Sequence, residues 1–276
     1  MNNEMNSLPP AYSLREVSFA YRHGTVENPN RLTLDNLTLS VSPGEILGVL
    51  GPNGSGKSTL LKLLTRILPI AKGSIQLMGQ DLSSLSQTEI ARRVALVPQE
   101  TQQPFPFTIS EMVLMGRFPH HGGLGGFRWE TREDVVIANQ AMQDMDVQHL
   151  GPRLITDVSG GERQRAIIAR ALTQEPEVLL LDEPTAFLDL HHQLDIARIL
   201  KRLNQERGLT VVLVSHDLNL ASQYCDRILL LQNGRIAQIG TPEEVIRREV
   251  LEAVYQCPVL IDQHPQSGMP RVTLPV

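Results

Sequence analysis

Apolar residues follow three rhythms along this chain. Near the start, Leu14, Val17, Phe19 and Tyr21 fall roughly in alternation, as do Leu32, Leu34, Leu37, Leu39 and Val41. That spacing predicts half-buried strands of an antiparallel sheet, with a turn at Glu27-Asn28-Pro29-Asn30 between them. Further on, the apolar residues come in short unbroken blocks: Ile46–Leu50, Val94–Val97, Val178–Leu181, Val211–Val214 and Ile228–Leu231. Continuous aliphatic blocks separated by helical segments predict parallel strands covered on both faces. Gly73 and Gly79 bracket another short strand, Ser74–Met78. The third rhythm is helical: over 131–150, Val135, Ala138, Met142 and Met145 form one stripe, and both methionines read as core. Thr241-Pro242-Glu243-Glu244 reads as a helix start, with a threonine cap and proline at the first position.

These elements predict one α/β domain over 12–276, preceded by a flexible leader at 1–11. Composition changes after Gln99: 100–127 carries Pro104, Pro106, Pro119 and a cluster at Gly122, Gly123, Gly125 and Gly126. The segment 100–158 therefore reads as a helical insertion, and 12–99 with 159–276 as the core and its β subdomain. The tail from Cys257 is weakly patterned. The leader lacks the charged-then-apolar pattern of a signal peptide. No apolar run approaches the ~18–20 residues that span a membrane, so a membrane role is expected to run through a partner.

Composition narrows the chemistry. The 276 residues are 41% hydrophobic and 20% charged, with a formal net charge of −5. An acidic balance argues against nucleic acid as the main partner. The two cysteines, Cys225 and Cys257, have no metal-ligand spacing and read as free thiols. His191 and His192 are adjacent, cannot share one helix face, and read as surface residues rather than metal ligands.

The chemistry is concentrated just after Leu50. The strand Ile46–Leu50 breaks into Gly51-Pro52-Asn53-Gly54-Ser55-Gly56-Lys57-Ser58-Thr59, and helix formers follow from Leu60. Gly51, Gly56, Lys57 and Ser58 fill the pattern G-x-x-x-x-G-K-[ST] in its required strand–loop–helix context. Gly51, Gly54 and Gly56 let backbone N–H groups close round phosphate oxygens, and the helix N-terminus adds its positive end. Lys57 would bridge the β- and γ-phosphates, and the Ser58 hydroxyl would ligate Mg²⁺. A second block, Val178–Leu181, ends in Asp182 and Glu183. Asp182 suits the metal side, usually through water, and Glu183 would orient or deprotonate the attacking water. Ser159 and Glu162 form an S-x-x-E capping box before the helix at 163–172. Gly160 and Gly161 within that box cost helix propensity, which makes sense if the helix end must approach a charged ligand closely.

Val158-Ser159-Gly160-Gly161-Glu162 resembles the signature of ABC transporter ATP-binding subunits, with Val and Glu where Leu and Gln are usual. The order of phosphate loop, signature and acidic strand also matches. The resemblance implies a P-loop NTPase core, an antiparallel β subdomain and an inserted helical subdomain. It places Tyr21 as the aromatic that stacks on adenine, with Phe19 as fallback. It gives Gln99 contact with Mg²⁺ and the lytic water, Asp189 the polar position of the Ala186–Asp189 loop between opposed subunits, and His216 a hydrogen bond to the γ-phosphate. It also implies a head-to-tail homodimer in which the signature of one copy closes on ATP held by the other, membrane permease subunits, and an exported binding protein. That machine would sit at the cytoplasmic face of the inner membrane, with coupling through Pro104–Gly116. Within the family the chain is most similar to importers of ferric siderophores, haem and cobalamin, on the segments Leu114–His120, Thr185–Gln193 and Val254–Val259. The alternative is a soluble ABC-type ATPase of DNA repair or translation. No sustained heptad lies between loop and signature, and only one cassette is present, which disfavours it.

Overall fold

The computed structural model describes residues 8–21, 32–99, 106–121 and 130–275. The expected leader up to Asn6 and Ser7, the Glu27–Asn30 turn, Pro104 and the four glycines from Gly122 to Gly126 lie outside those residues. Contacts divide the chain into two units, Met1–Leu85 with His216–Val276, and Ser86–Ser215.

The first unit opens with strands β1 (Tyr12–Phe19) and β2 (Leu34–Val41), which pair antiparallel with Tyr12 opposite Val41 and Phe19 opposite Leu34. The alternation read from sequence skips a beat because Glu16 sits at φ 52 and the register shifts between Leu14 and Val17. A bulge of this kind keeps Leu14, Val17 and Phe19 on the buried face. Next come β3 (Ile46–Leu50), helix α1 (Lys57–Leu64), β4 (Lys72–Leu77) and β5 (Gln80–Asp81). Strand β4 pairs with the other edge of β1, giving the sheet order β2-β1-β4-β5. The Tyr12 hydroxyl donates to Leu64 O at 2.7 Å, which ties this sheet to the end of α1.

The second unit starts with α2 (Gln87–Arg93), capped reciprocally by Ser86 and Glu89, and β6 (Val94–Val97). Helices α3 (Ile109–Leu114), α4 (Arg132–Asp144) and α5 (Gly160–Leu172) follow and pack on one another. Then come β7 (Val178–Asp182), α6 (Leu190–Arg207) and β8 (Thr210–Val214). Strands β6, β7 and β8 run parallel in that order, and β7 and β8 are buried throughout, as aliphatic blocks require.

The stripe expected on α4 differs at one position. Ala138, Met142 and Met145 are buried, but Val135 is 43% exposed. Its neighbour Asp134 takes the inward place. Arg117 Nε donates to Asp134 Oδ1 at 2.8 Å, and Arg117 Nη1 donates to Thr173 O and Glu175 Oε2. His121 Nε2 lies 3.2 Å from Asp134 Oδ2, and the Thr131 hydroxyl and amide complete its partners. A paired buried carboxylate thus displaces an apolar residue.

The chain then returns to the first unit with α7 (Leu218–Tyr224), β9 (Arg227–Gln232), β10 (Arg235–Gly240), α8 (Pro242–Val245), α9 (Arg248–Tyr255), β11 (Leu260–Gln263) and β12 (Pro270–Thr273). Strand β9 lies parallel to β3 and antiparallel to β10. Helix α7 packs closely on β3: a Cβ on Gly48 would stand 2.9 Å from Cys225 Sγ and 3.6 Å from Ala221 Cβ. The weakly patterned tail contains a hairpin, β11–β12, held to α7 by Ser222 Oγ, which donates to Pro270 O, and by Asn219, which exchanges hydrogen bonds with the Val272 backbone. Among the described residues, no helix is long and apolar enough to cross a membrane.

Candidate nucleotide site

The loop between β3 and α1 is a turn that only glycine fits at its two ends. Gly51 has φ 143, and a Cβ there would stand 2.1 Å from Leu231 O. Gly56, the cap of α1, has φ 105, and its Cβ would meet Leu34 Cδ2 at 2.5 Å and Thr33 O at 2.9 Å. Gly54, at φ 74, has nothing within 4 Å of a Cβ, so the loop is open there. Helix α1 begins at Lys57, three residues before the start read from the apolar pattern. Lys57, Ser58 and Thr59 therefore form its first turn, where N–H donors and the positive end of the dipole gather.

Lys57 is buried, and its ammonium donates to Gly51 O at 2.8 Å and Pro52 O at 3.1 Å, folding back over the loop. Ser55 Oγ is buried with no hydrogen-bond partner among the described residues. A free buried hydroxyl, an ammonium and a helix start with glycines on both sides suit a polyphosphate. Tyr21 is 43% exposed, its hydroxyl is 3.4 Å from Thr59 Oγ1, and its ring meets Phe19 edge-on at 5.0 Å. Phe19 itself is buried, which leaves Tyr21 as the aromatic with an open face. Tyr255 is a neighbour that sequence reasoning did not assign. Burial pushes its phenol up to about 12, against a hydrogen bond from the Gly51 backbone that favours the anion. In sequence it is an aromatic near the end of an amphipathic helix, inside the Val254–Val259 segment that carries the family likeness but assigns it no role. His216 is exposed and directly precedes Asp217, the cap of α7.

The second unit brings together another group. Asp182 ends β7 and is buried. Glu183 follows at φ 51, with its N–H donating to Val214 O at 3.0 Å. Left-handed backbone in a non-glycine residue costs on the order of 1–3 kcal/mol and clusters at functional sites. Gln99, two residues past β6, donates its side-chain amide to Glu183 Oε2 at 2.8 Å.

Ser159 caps α5 as read from sequence: its Oγ accepts from Glu162 N at 3.3 Å, and its N–H donates to Glu162 Oε2 at 2.8 Å. Hydrogen bonds from the Ser159 backbone and side chain hold the Glu162 carboxyl below its ordinary range. The two glycines differ from expectation. Gly160 is open, with only Leu188 Cδ2 at 3.8 Å from a Cβ, but the space beside Gly161 is filled by the His192 ring, 2.2 Å from a Cβ. The close approach at Gly161 is therefore to a side chain of its own chain. Asp189 caps α6, its Oδ1 accepting from His192 N at 3.0 Å, and this hydrogen bond lowers its carboxyl pKa. Phe187, at φ 62, is almost fully exposed beside it. The two histidines do converge: their rings lie 5.4 Å apart, and their nitrogens and the Asp195 carboxylate fall within 4.8 Å of one another. Adjacent helix positions diverge at the backbone, but Asp195, three and four residues on, draws the longer side chains together.

Residues 34–186 match the family described as ABC transporter. The chain is 43% identical over 264 residues to the hemin import ATP-binding protein HmuV of Pseudomonas aeruginosa, covering 94% of this chain and 98% of that one. It is 39% identical over 238 residues to the ferric enterobactin transport ATP-binding protein FepC of Escherichia coli, covering 86% and 87%. A solved metal-chelate type ABC transporter, described as putative and inward-facing, superposes with a TM-score of 0.81 at 32% identity, over 96% of this chain and 97% of that one. The chain belongs to the ABC transporter family, as one of its ATP-binding members with the P-loop ATPase fold. It spans 54% of the length of another curated relative, an ABC transporter ATP-binding protein of Bacillus subtilis, to which it is 43% identical.

Proposed function

We propose that this chain is the ATPase subunit that powers import of a metal chelate, a ferric siderophore or a related haem or cobalamin compound. The observation that carries the reading is the Gln99–Glu183 hydrogen bond, an amide and a carboxylate paired at the ends of β6 and β7, in a chain that also holds a complete phosphate loop. Import relatives at about 40% identity support the cargo class.

In this reading Lys57 leaves the Gly51 and Pro52 carbonyls to meet the β- and γ-phosphates, and Ser55 and the loop N–H groups donate to phosphate oxygens. Tyr21 stacks on adenine. Ser58, Asp182 and Gln99 would hold Mg²⁺, which would supply charge neutralisation at the phosphates. Gln99 holds Glu183 in place, and Glu183 accepts the proton of the water that attacks the γ-phosphorus. The bond from that phosphorus to the bridging oxygen breaks, and ADP leaves. His216 donates to the γ-phosphate. Ser159, Gly160, Gly161 and Glu162 of a second copy close the site, and Asp189 lies at the junction of the two copies. Residues 100–158 act as a helical subdomain, and the described part of Pro104–Gly116 meets the permease. The assembly works at the cytoplasmic face of the inner membrane with an exported binding protein.

The test is reconstitution. The isolated subunit is expected to bind MgATP and to show no calorimetric affinity for ferric siderophore, haem or cobalamin. Its ATPase is expected to change when permease and loaded binding protein are added, because coupling requires a difference in affinity between conformational states. Tight chelate binding by the lone subunit, or an ATPase indifferent to the permease, overturns the reading.

A further inference from the structure

The space beside Gly161 is occupied by a residue that no step of the reaction uses. The His192 ring lies against Gly161 on α5, and one turn later on the same helix face Arg165 Nη1 approaches His192 Nδ1 at 3.3 Å. A guanidinium only donates, so Nδ1 accepts and the ring lacks a proton at that nitrogen. Arg165 is buried, its Nε has no hydrogen-bond partner among the described residues, and its next charged neighbour, Asp195 Oδ2, is 3.9 Å away. The ring is therefore the group nearest to satisfying a buried cation. At the other end, the His192 backbone N–H donates to Asp189, the residue that caps α6. His191, His192 and Asp195 have a spacing a divalent ion could use, but the Arg165 cation already stands against two of the three.

We propose that His192 is a positioning residue for ATP hydrolysis: it joins the capped start of α5, which carries Ser159, to the capped start of α6, which carries Asp189. The inference rests on the composite-site reading above, in which both helix starts face the second copy. Each contact restricts a different freedom. The ring on Gly161 fixes the distance between the helices, and the Arg165 hydrogen bond fixes their rotation. With the link intact, Ser159 and Asp189 reach the opposing nucleotide as one rigid element, and closure does not have to order them separately. The link also explains Gly161, since any side chain there would overlap the ring.

The experiment compares His192→Leu, His192→Asn and Arg165→Gln with wild type in steady-state ATPase, nucleotide binding and thermal unfolding. His192→Leu keeps apolar bulk on Gly161 but loses the acceptor. His192→Asn places an amide oxygen near the position of Nδ1. Arg165→Gln leaves the ring in place and removes the cation. The expected result is a kcat about tenfold lower in His192→Leu and Arg165→Gln, with KM and melting temperature unchanged, and recovery to within about threefold in His192→Asn. Where His192→Leu unfolds early, Arg165→Gln decides the point. A wild-type kcat in Arg165→Gln, or a kcat loss matched by an equal fall in melting temperature, overturns the positioning role. A wild-type chain with no ATPase activity at all overturns the composite-site reading instead, so the two failures are distinguishable.

Discussion

Gln99 donates its side-chain amide to Glu183 at 2.8 Å, joining the segment that leaves β6 to the carboxylate that follows β7. The two strands are adjacent and parallel, so the pair is as fixed as the sheet beneath it. A carboxylate held this way keeps its orientation before water arrives, as the role of general base proposed for Glu183 requires.

Glu183→Gln retains the shape of the pair and removes the base. Turnover is expected to fall about 10²–10⁴-fold with MgATP affinity nearly unchanged, and ATP should trap a dimer visible by size-exclusion chromatography. Gln99→Ala leaves the base unanchored, for a smaller loss of about 10–100-fold. Normal turnover in Glu183→Gln would reduce Glu183 to a loop acid.

Lys57→Ala removes the ammonium that bonds Gly51 and Pro52, and MgATP affinity should drop by about 100-fold, or roughly 2.7 kcal/mol. Gly160→Asp places an acid on the open side of α5 and should spare nucleotide binding while blocking hydrolysis. Mixing the two variants leaves one site of a heterodimer with intact parts, so partial activity should return. Full hydrolysis by a strictly monomeric preparation would refute a shared site.

The loop glycines should separate by environment. Gly51→Ala puts a methyl into the Leu231 carbonyl and is expected to cost about 3 kcal/mol or more. Gly54→Ala meets open space and carries only the left-handed penalty, about 1–2 kcal/mol. Urea unfolding of both variants measures the difference, and equal losses would show that Gly51 is not sterically confined.

Asp134 gives a pH signature. Burial alone would raise its pKa, but the Thr131 hydroxyl and amide, Arg117 and the neighbouring His121 outweigh it and hold the carboxyl at about 2 against an ordinary 3.8. The folded pKa is depressed, so the stabilisation is present above about pH 4 and is lost as pH falls through about 2. Asp134→Asn is expected to lose on the order of 1–2 kcal/mol at pH 7, allowing for solvent screening, and the gap to wild type should close toward pH 2. A gap that stays constant with pH would assign the loss to packing.

The aliphatic blocks were legible because a strand buried on both faces leaves no polar positions to confuse the period. The phosphate loop was legible because its residues are set by backbone geometry at Gly51 and Gly56. The apolar pattern starts α1 three residues late because Lys57, Ser58 and Thr59 carry no apolar stripe. Helix α2 and the β11–β12 hairpin are short and held by the Ser86–Glu89 box and by Ser222 and Asn219, contacts that leave no periodic trace. Periodicity points Val135 inward because it carries no trace of Arg117, which lies seventeen residues before Asp134 and draws that acid to the same side. The capping box at Ser159 was readable locally, whereas the reason for Gly161 lies 31 positions on, in the ring of His192.

The contact between Gly48 and Cys225 supplies the chain with its own reporter. Cys257 is exposed and Cys225 is buried against the strand that feeds the phosphate loop. A thiol reagent should therefore count one group on the native protein and a second only when α7 lifts from β3. The slow reaction times the opening of the wall behind the loop, and the fast one serves as its internal clock. Added nucleotide should slow the second reaction and leave the first unchanged, so breathing of the site can be followed in the natural sequence without introducing a label.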